Sequence, residues 1–107
     1  MKKLKDIAVV IRSKNAGPYE LTLDVLLPDE ATFDKLCASK IICPKTIAGL
    51  YNLPESDVLS IVEFPTAKAV KATIVRPLAS GALGERDVYG AQQHVPLMNL
   101  ELPGWED

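Results

Sequence analysis

Residue patterns that bind metal ions are missing from this sequence, which has a single histidine and two cysteines in 107 residues. Cys37 and Cys43 stand six positions apart, whereas a structural zinc site generally takes four ligands in paired short spacings. The same spacing matches no redox motif. We therefore expect two reduced structural thiols, no bound metal and no cofactor.

An excess of basic residues and long hydrophobic runs are also missing. Lysine and arginine number 12 against 14 aspartates and glutamates, a net charge of -2, so no basic surface is expected to grip a phosphate backbone. The apolar run at residues 7–11 is too short for a signal peptide or for a membrane span of about 20 residues. These absences predict a cytoplasmic protein that binds neither nucleic acid nor a membrane.

The length and composition are typical of one globular domain. Hydrophobic residues make up 48% of the chain and charged residues 24%. A domain of this size buries roughly two-thirds of its unfolded surface, which is enough for a hydrophobic core. We expect residues 1–107 to form a single domain, in which residues 103–107 are a flexible tail.

Hydrophobic alternation predicts most of the strands. Every second residue from 19 to 27 is apolar, and this period of two indicates a half-buried strand. The β-branched run at residues 7–11 predicts a strand before it, and residues 12–18, rich in turn formers, predict the connection. Similar alternation predicts a second hairpin, with strands at residues 58–64 and 70–75.

Helices are predicted between and after these strands. Asp29 is a capping residue for apolar side chains at helical spacing over residues 31–37. A second helix is predicted to begin at Pro44, since proline is favoured in the first turn. Asp87 is expected to cap a short third helical piece, and the apolar alternation near residues 98–102 predicts a final edge strand.

The order of these elements predicts an α+β fold. Without the first strand it is β-α-β-β-α-β, the split arrangement of ferredoxin-like folds. We therefore expect a ferredoxin-like sandwich with an extra N-terminal strand. Its sheet is expected to be mostly antiparallel, with the helices on one face.

Two polar segments are candidate binding sites. In "RSKNAGP", Arg12, Ser13, Lys14 and Asn15 place a guanidinium, a hydroxyl, an ammonium and a carboxamide beside a glycine. Arginine binds a carboxylate or a phosphate through two parallel hydrogen bonds. In "RPLASGALGERD", Ser80 and two glycines have the composition of an anion-binding nest of backbone amides. The alternatives are a solvated turn for the first segment and a flexible connector for the second.

The single histidine is the candidate for proton transfer. His94 follows Gln92 and Gln93 in "VYGAQQHVPL", and histidine exchanges protons near neutral pH. A general base needs a carboxylate to orient its ring, and Asp24 or Asp87 would serve if the fold brought one near. The alternative is structural, with His94 bound to a backbone carbonyl and the glutamines bound to neighbouring loops.

Three long segments resemble a known family. They are "LKDIAVVIRSKNAGPYELTLDVLLPD", "LYNLPESDVLSIVEF" and "IVRPLASGALGERDVYGAQQHVPL", and they are similar to the uncharacterised bacterial family called domain of unknown function 4387. That family in turn resembles the ferredoxin-fold domain at the C-terminus of AtuA-like proteins, named for acyclic terpene utilisation. Arg12 and Ser13 match the Arg-Ser-Gly-Asp-Lys-Gly segment of those domains, and Asp87 and Gly90 match their Asp-x-x-Gly element.

The resemblance implies a small accessory subunit. It would act with a larger AtuA-like protein in the catabolism of branched or unsaturated acids or their CoA thioesters, and an anionic small molecule is a second expected ligand. Ala91 stands where AtuA-type domains carry a lysine, so any role of that lysine is not carried over. The predicted binding surface comprises Arg12, Ser13, Lys14, Asn15, Ser80, Asp87, Gln92, Gln93 and His94.

Two other functions fit the same residues. One is an independent small lyase, hydratase or isomerase, with His94 as proton carrier and Arg12 as carboxylate anchor. Such an enzyme would be a homo-oligomer if its site were completed across a subunit boundary. The other is a purely structural adaptor. Turnover by the chain alone, lost in His94→Ala, distinguishes the enzyme from both alternatives.

Overall fold

Four strands form one antiparallel sheet in the computed structural model, which describes residues 2–17, 19–75 and 95–105. The strands are β1 (Val10–Asn15), β2 (Glu20–Leu26), β3 (Val58–Phe64) and β4 (Ala69–Val75). Their order across the sheet is β1-β2-β4-β3, and each neighbouring pair is antiparallel. β2 and β3 are therefore parallel to each other with β4 between them, which is the split arrangement expected of a ferredoxin-like fold.

The helices are short, and local residue chemistry sets their ends. They are α1 (Leu4–Ile7), α2 (Glu30–Ser39), α3 (Pro44–Tyr51) and α4 (Val95–Met98). Asp29 caps α2 by accepting a hydrogen bond from the Thr32 amide at 2.7 Å, and this bond lowers the pKa of the Asp29 carboxyl. Lys40 and Asn52 end α2 and α3 with left-handed backbone, each at φ 55.

One apolar cluster holds the sheet to the helices. Leu21, Leu23 and Val25 of β2 are buried and lie on one face because a strand alternates its side chains. The same face of β4 carries Val70, Ala72 and Ile74, each buried. The helices contribute Phe33, Leu36 and Ile47 to this cluster. The helices therefore cover one face of the sheet, and the predicted α+β class is confirmed.

The first strand begins later than predicted. Residues 4–7 are helical and β1 starts at Val10, so the polar residues 12–15, predicted as a turn, continue the strand. Pairing with β2 is the reason, since Arg12 lies opposite Asp24 and Asn15 opposite Leu21. The turn therefore begins only after Asn15, where the Ala16 amide donates a hydrogen bond to the Glu20 carbonyl at 2.9 Å.

The predicted last strand is reduced to a single bridge between Glu101 and Lys3. β1 occupies the sheet edge beside β2, which is the position a fourth ferredoxin-like strand would take. The chain near Leu102 instead packs under the core, where that side chain is fully buried.

The C-terminal residues continue past this buried leucine. The Lys35 ammonium lies 4.2 Å from the centre of the Trp105 ring, a cation–π contact. Trp105 also packs against the core. Within residues 2–17, 19–75 and 95–105, no helix is long and apolar enough to cross a membrane.

Candidate functional site

The face of the sheet that points away from the helices is the main candidate surface, and we call it the open face. Strand alternation and the pairing register decide which side chains it presents. It comprises Val10, Arg12, Lys14, Glu20, Thr22, Asp24, Leu26, Ser60, Val62, Phe64, Ala69, Lys71, Thr73 and Val75. These residues form rows across the strands, because directly paired residues share a face.

One row of the open face is apolar. Val10, Leu26, Ala69 and Phe64 are paired in that order across the four strands. Val10 is 36% exposed and Phe64 is 44% exposed, and both stand on edge strands. This row therefore presents hydrophobic side chains to solvent at both edges of the sheet.

The next row is charged. Arg12, Asp24 and Lys71 are paired across three strands, and Val62 completes the row on β3. The Arg12 Nε donates a hydrogen bond to Asp24 Oδ2 at 3.1 Å, while the Arg12 side chain remains 62% exposed. A pair this exposed contributes only about 0–1 kcal/mol to stability. The guanidinium is thus oriented by Asp24 yet accessible to a carboxylate of another molecule.

The charge of the open face differs in sign from that of the whole chain. Arg12, Lys14 and Lys71 outnumber its acidic residues, Glu20 and Asp24, whereas the protein has a net charge of -2. Arg12, Lys14 and Lys71 are all exposed. The open face therefore carries a small excess of positive charge, which attracts acidic groups.

The structure separates the four predicted site residues of β1. Arg12 and Lys14 lie on the open face, whereas Ser13 and Asn15 lie on the face that the helices cover. Consecutive residues of a strand point to opposite faces, so the four side chains do not form one surface. Asn15 Oδ1 is buried and, among the described residues, has no hydrogen-bond partner.

The second half of the predicted surface lies outside the described residues. This applies to Ser80, Asp87, Gln92, Gln93 and His94, and their proximity to Arg12 stays a prediction. β1 and β4 run parallel on either side of β2. Both strands end beside the start of β2, where Val75 pairs with Glu20. Asp24, one of the two carboxylates predicted to orient the histidine ring, accepts a hydrogen bond from Arg12.

Sequence reasoning missed Lys71, Val62 and Phe64 as candidate site residues. The alternation in residues 58–64 and 70–75 separates their two faces, but no local pattern tells which residue of β2 lies opposite Lys71. Lys71 pairs with Asp24, and this pairing joins residues that are far apart in the sequence. Within the described ranges, no group of three or more histidine, cysteine or acidic residues is arranged to hold a metal ion.

The fold and this surface define an α+β domain whose four-stranded antiparallel sheet has helices on one face and an accessible charged and apolar surface on the other. A family model described as "Domain of unknown function (DUF4387)" matches residues 4–101. The chain belongs to that family, as the resemblance of its sequence predicted. Comparisons with curated proteins and with solved structures give no match.

Proposed function

We propose that this protein is a small accessory subunit that acts with a larger AtuA-like protein in the catabolism of branched or unsaturated acids or their CoA thioesters. The open face is the observation that supports this proposal. It combines exposed apolar side chains with an oriented arginine, whereas the other face of the sheet is used by the protein's own core.

The composition of the open face suits a protein partner. Interfaces between proteins commonly bury an apolar centre, enriched in aromatic residues and arginine, inside a polar rim. Phe64 and Val62 supply exposed apolar surface on β3, and Arg12 supplies the guanidinium on β1. Lys71 lies between them on β4.

The expected partner surface is apolar with a carboxylate. An Asp or Glu of the larger chain would bind the Arg12 guanidinium from the side that Asp24 leaves accessible, and charge-assisted hydrogen bonds of this kind are among the stronger ones. Lys71 adds a second cationic group for the same carboxylate. A small anionic substrate carries the same carboxylate group as an Asp or Glu of the partner. Binding experiments must therefore distinguish the substrate from the partner protein.

Co-purification with an AtuA-like protein encoded beside this chain tests the proposal. We expect the isolated chain to elute as a monomer and to co-elute with the larger chain when the two are mixed. We also expect the isolated chain to have no turnover of carboxylic acids or acyl-CoA compounds.

Two outcomes would contradict the accessory role. One is separate elution of the two chains at concentrations well above micromolar. The other is turnover by the isolated chain that disappears in His94→Ala while the circular dichroism spectrum is unchanged. That second result would establish the independent enzyme instead.

A further inference from the structure

A cavity of about 220 Å³ lies on the helix side of the sheet, between the end of α2, the segment leading into α3, and strands β3 and β4. Leucine, isoleucine and valine side chains form much of its wall. Both cysteines line it, together with Lys40 and Glu63, and both thiols are free and half-buried. Two cysteines, a lysine and a glutamate thus line one small space, on the side of the sheet opposite the open face.

The first turn of α3 stabilises a negative charge on one of these thiols. Cys43 directly precedes α3, and its Sγ lies 3.2 Å from the Thr46 hydroxyl oxygen. Among the groups that stabilise the Cys43 thiolate, the Thr46 hydroxyl has the largest effect, and the backbone amides of Thr46 and Lys45 add to that effect. Together they lower the pKa of the Cys43 thiol below its ordinary value.

The other thiol has the opposite environment. Burial, a hydrogen bond with Glu63 and the negative charges of Glu63 and Asp34 together raise the pKa of Cys37 to about 11, and burial is the largest of these causes. Cys37 therefore stays protonated near neutral pH, and only a thiolate attacks a disulfide efficiently. Of the two thiols that line the cavity, Cys43 therefore loses its proton more readily and is the more reactive, whereas Cys37 stays protonated.

We propose that Cys43 is a thiol modification site, at which a small disulfide compound entering this cavity forms a mixed disulfide with the protein. The Cys43 thiolate attacks one sulfur of R–S–S–R, and a Cys43–S–S–R bond forms as the original S–S bond breaks. The second sulfur leaves with the electron pair as R–S⁻. Cys43 is oxidised and half of the disulfide compound is reduced, so no further oxidant is needed.

Lys40 is expected to assist the leaving group. Lys40 lines the same cavity, and a positive charge near the departing thiolate favours its release. The apolar wall favours compounds with short carbon chains over strongly hydrated ones.

Site-resolved labelling with 2-hydroxyethyl disulfide tests this site. The folded protein is treated at pH 7, and the modified peptides are measured by mass spectrometry over time. We expect Cys43 to be modified at least tenfold faster than Cys37, and its labelling to persist to lower pH. Thr46→Val should slow Cys43 at least threefold and move its pH midpoint upward, whereas Thr46→Ser should preserve both.

Equal rates at the two cysteines, or faster reaction of Cys37, would overturn the proposal. An unchanged pH midpoint in a folded Thr46→Val protein would overturn it as well. If Thr46→Val fails to fold, the pH profiles of the two thiols in the unmodified sequence decide alone, since the Cys43 midpoint must lie below that of Cys37. None of these outcomes depends on the open face, so this site and the accessory role are tested separately.

Discussion

Leu23→Ala is expected to lower the free energy of unfolding by about 2–5 kcal/mol. Leu23 is fully buried at the middle of β2, between β1 and β4. Its partners on those strands are Ser13 and Ala72, and neither is large enough to fill the space that the leucine leaves. The loss therefore combines the transfer energy of the side chain with the cost of a cavity. Urea unfolding followed by circular dichroism measures it.

Leu59→Ala is the matched control, because it makes the same chemical change on β3. Leu59 is 49% exposed, and its truncation should change the free energy of unfolding by only about 0.5 kcal/mol. Comparable losses in the two variants would mean that the sheet does not bury the face assigned to the core.

Lys71→Glu is expected to weaken the complex with the AtuA-like partner by about 10- to 100-fold, since placing like charges together at an interface costs several kcal/mol. The substitution puts a second carboxylate beside Asp24, its cross-strand neighbour. The new carboxylate also competes for the Arg12 guanidinium, which Asp24 already contacts. Isothermal titration calorimetry of the purified pair gives the dissociation constant.

Lys45→Glu is the control for this charge reversal. It changes the net charge of the protein by the same amount, so long-range attraction to the partner changes equally. Lys45 is exposed on α3, in the helix layer, and its reversal should alter the dissociation constant less than about twofold, as expected for a charge outside the interface. If the two variants weakened binding to the partner equally, the effect of Lys71→Glu would come from the net charge of the protein and not from the open face.

The strongest local patterns predicted the fold correctly. The strict alternation before Leu27 gave the buried and open sides of β2, and Asp29 with its apolar run gave the start of α2. In both cases the decisive physics is local, because side-chain alternation and capping act within a few residues. The antiparallel sheet follows from these elements and their order.

The errors have a common physical cause, which is competition for pairing partners. Residues 12–15 are polar and read locally as a turn, yet pairing with β2 keeps them extended. The predicted last strand does not form for a related reason, which is that β1 already occupies the edge of the sheet beside β2. Which strand takes an edge is decided by the whole sheet, and a window of a few residues carries no such information.

In the candidate site too, local chemistry predicts some residues, whereas others depend on strand pairing. Arg12 and Lys14 were recognised from their chemistry, and both lie on the open face. Asp24 and Lys71 join Arg12 only through the register of three strands. Ser13 was grouped with Arg12 because they are adjacent in sequence, although strand alternation places them on opposite faces.

Photo-cross-linking tests docking on the open face most directly. A benzophenone amino acid replaces Val62, which is 42% exposed at the end of the charged row, and in a second protein it replaces Lys45 on α3. After irradiation with the AtuA-like partner, we expect a cross-linked product from position 62 and none from position 45. A product from position 45 together with none from position 62 would contradict docking through the open face.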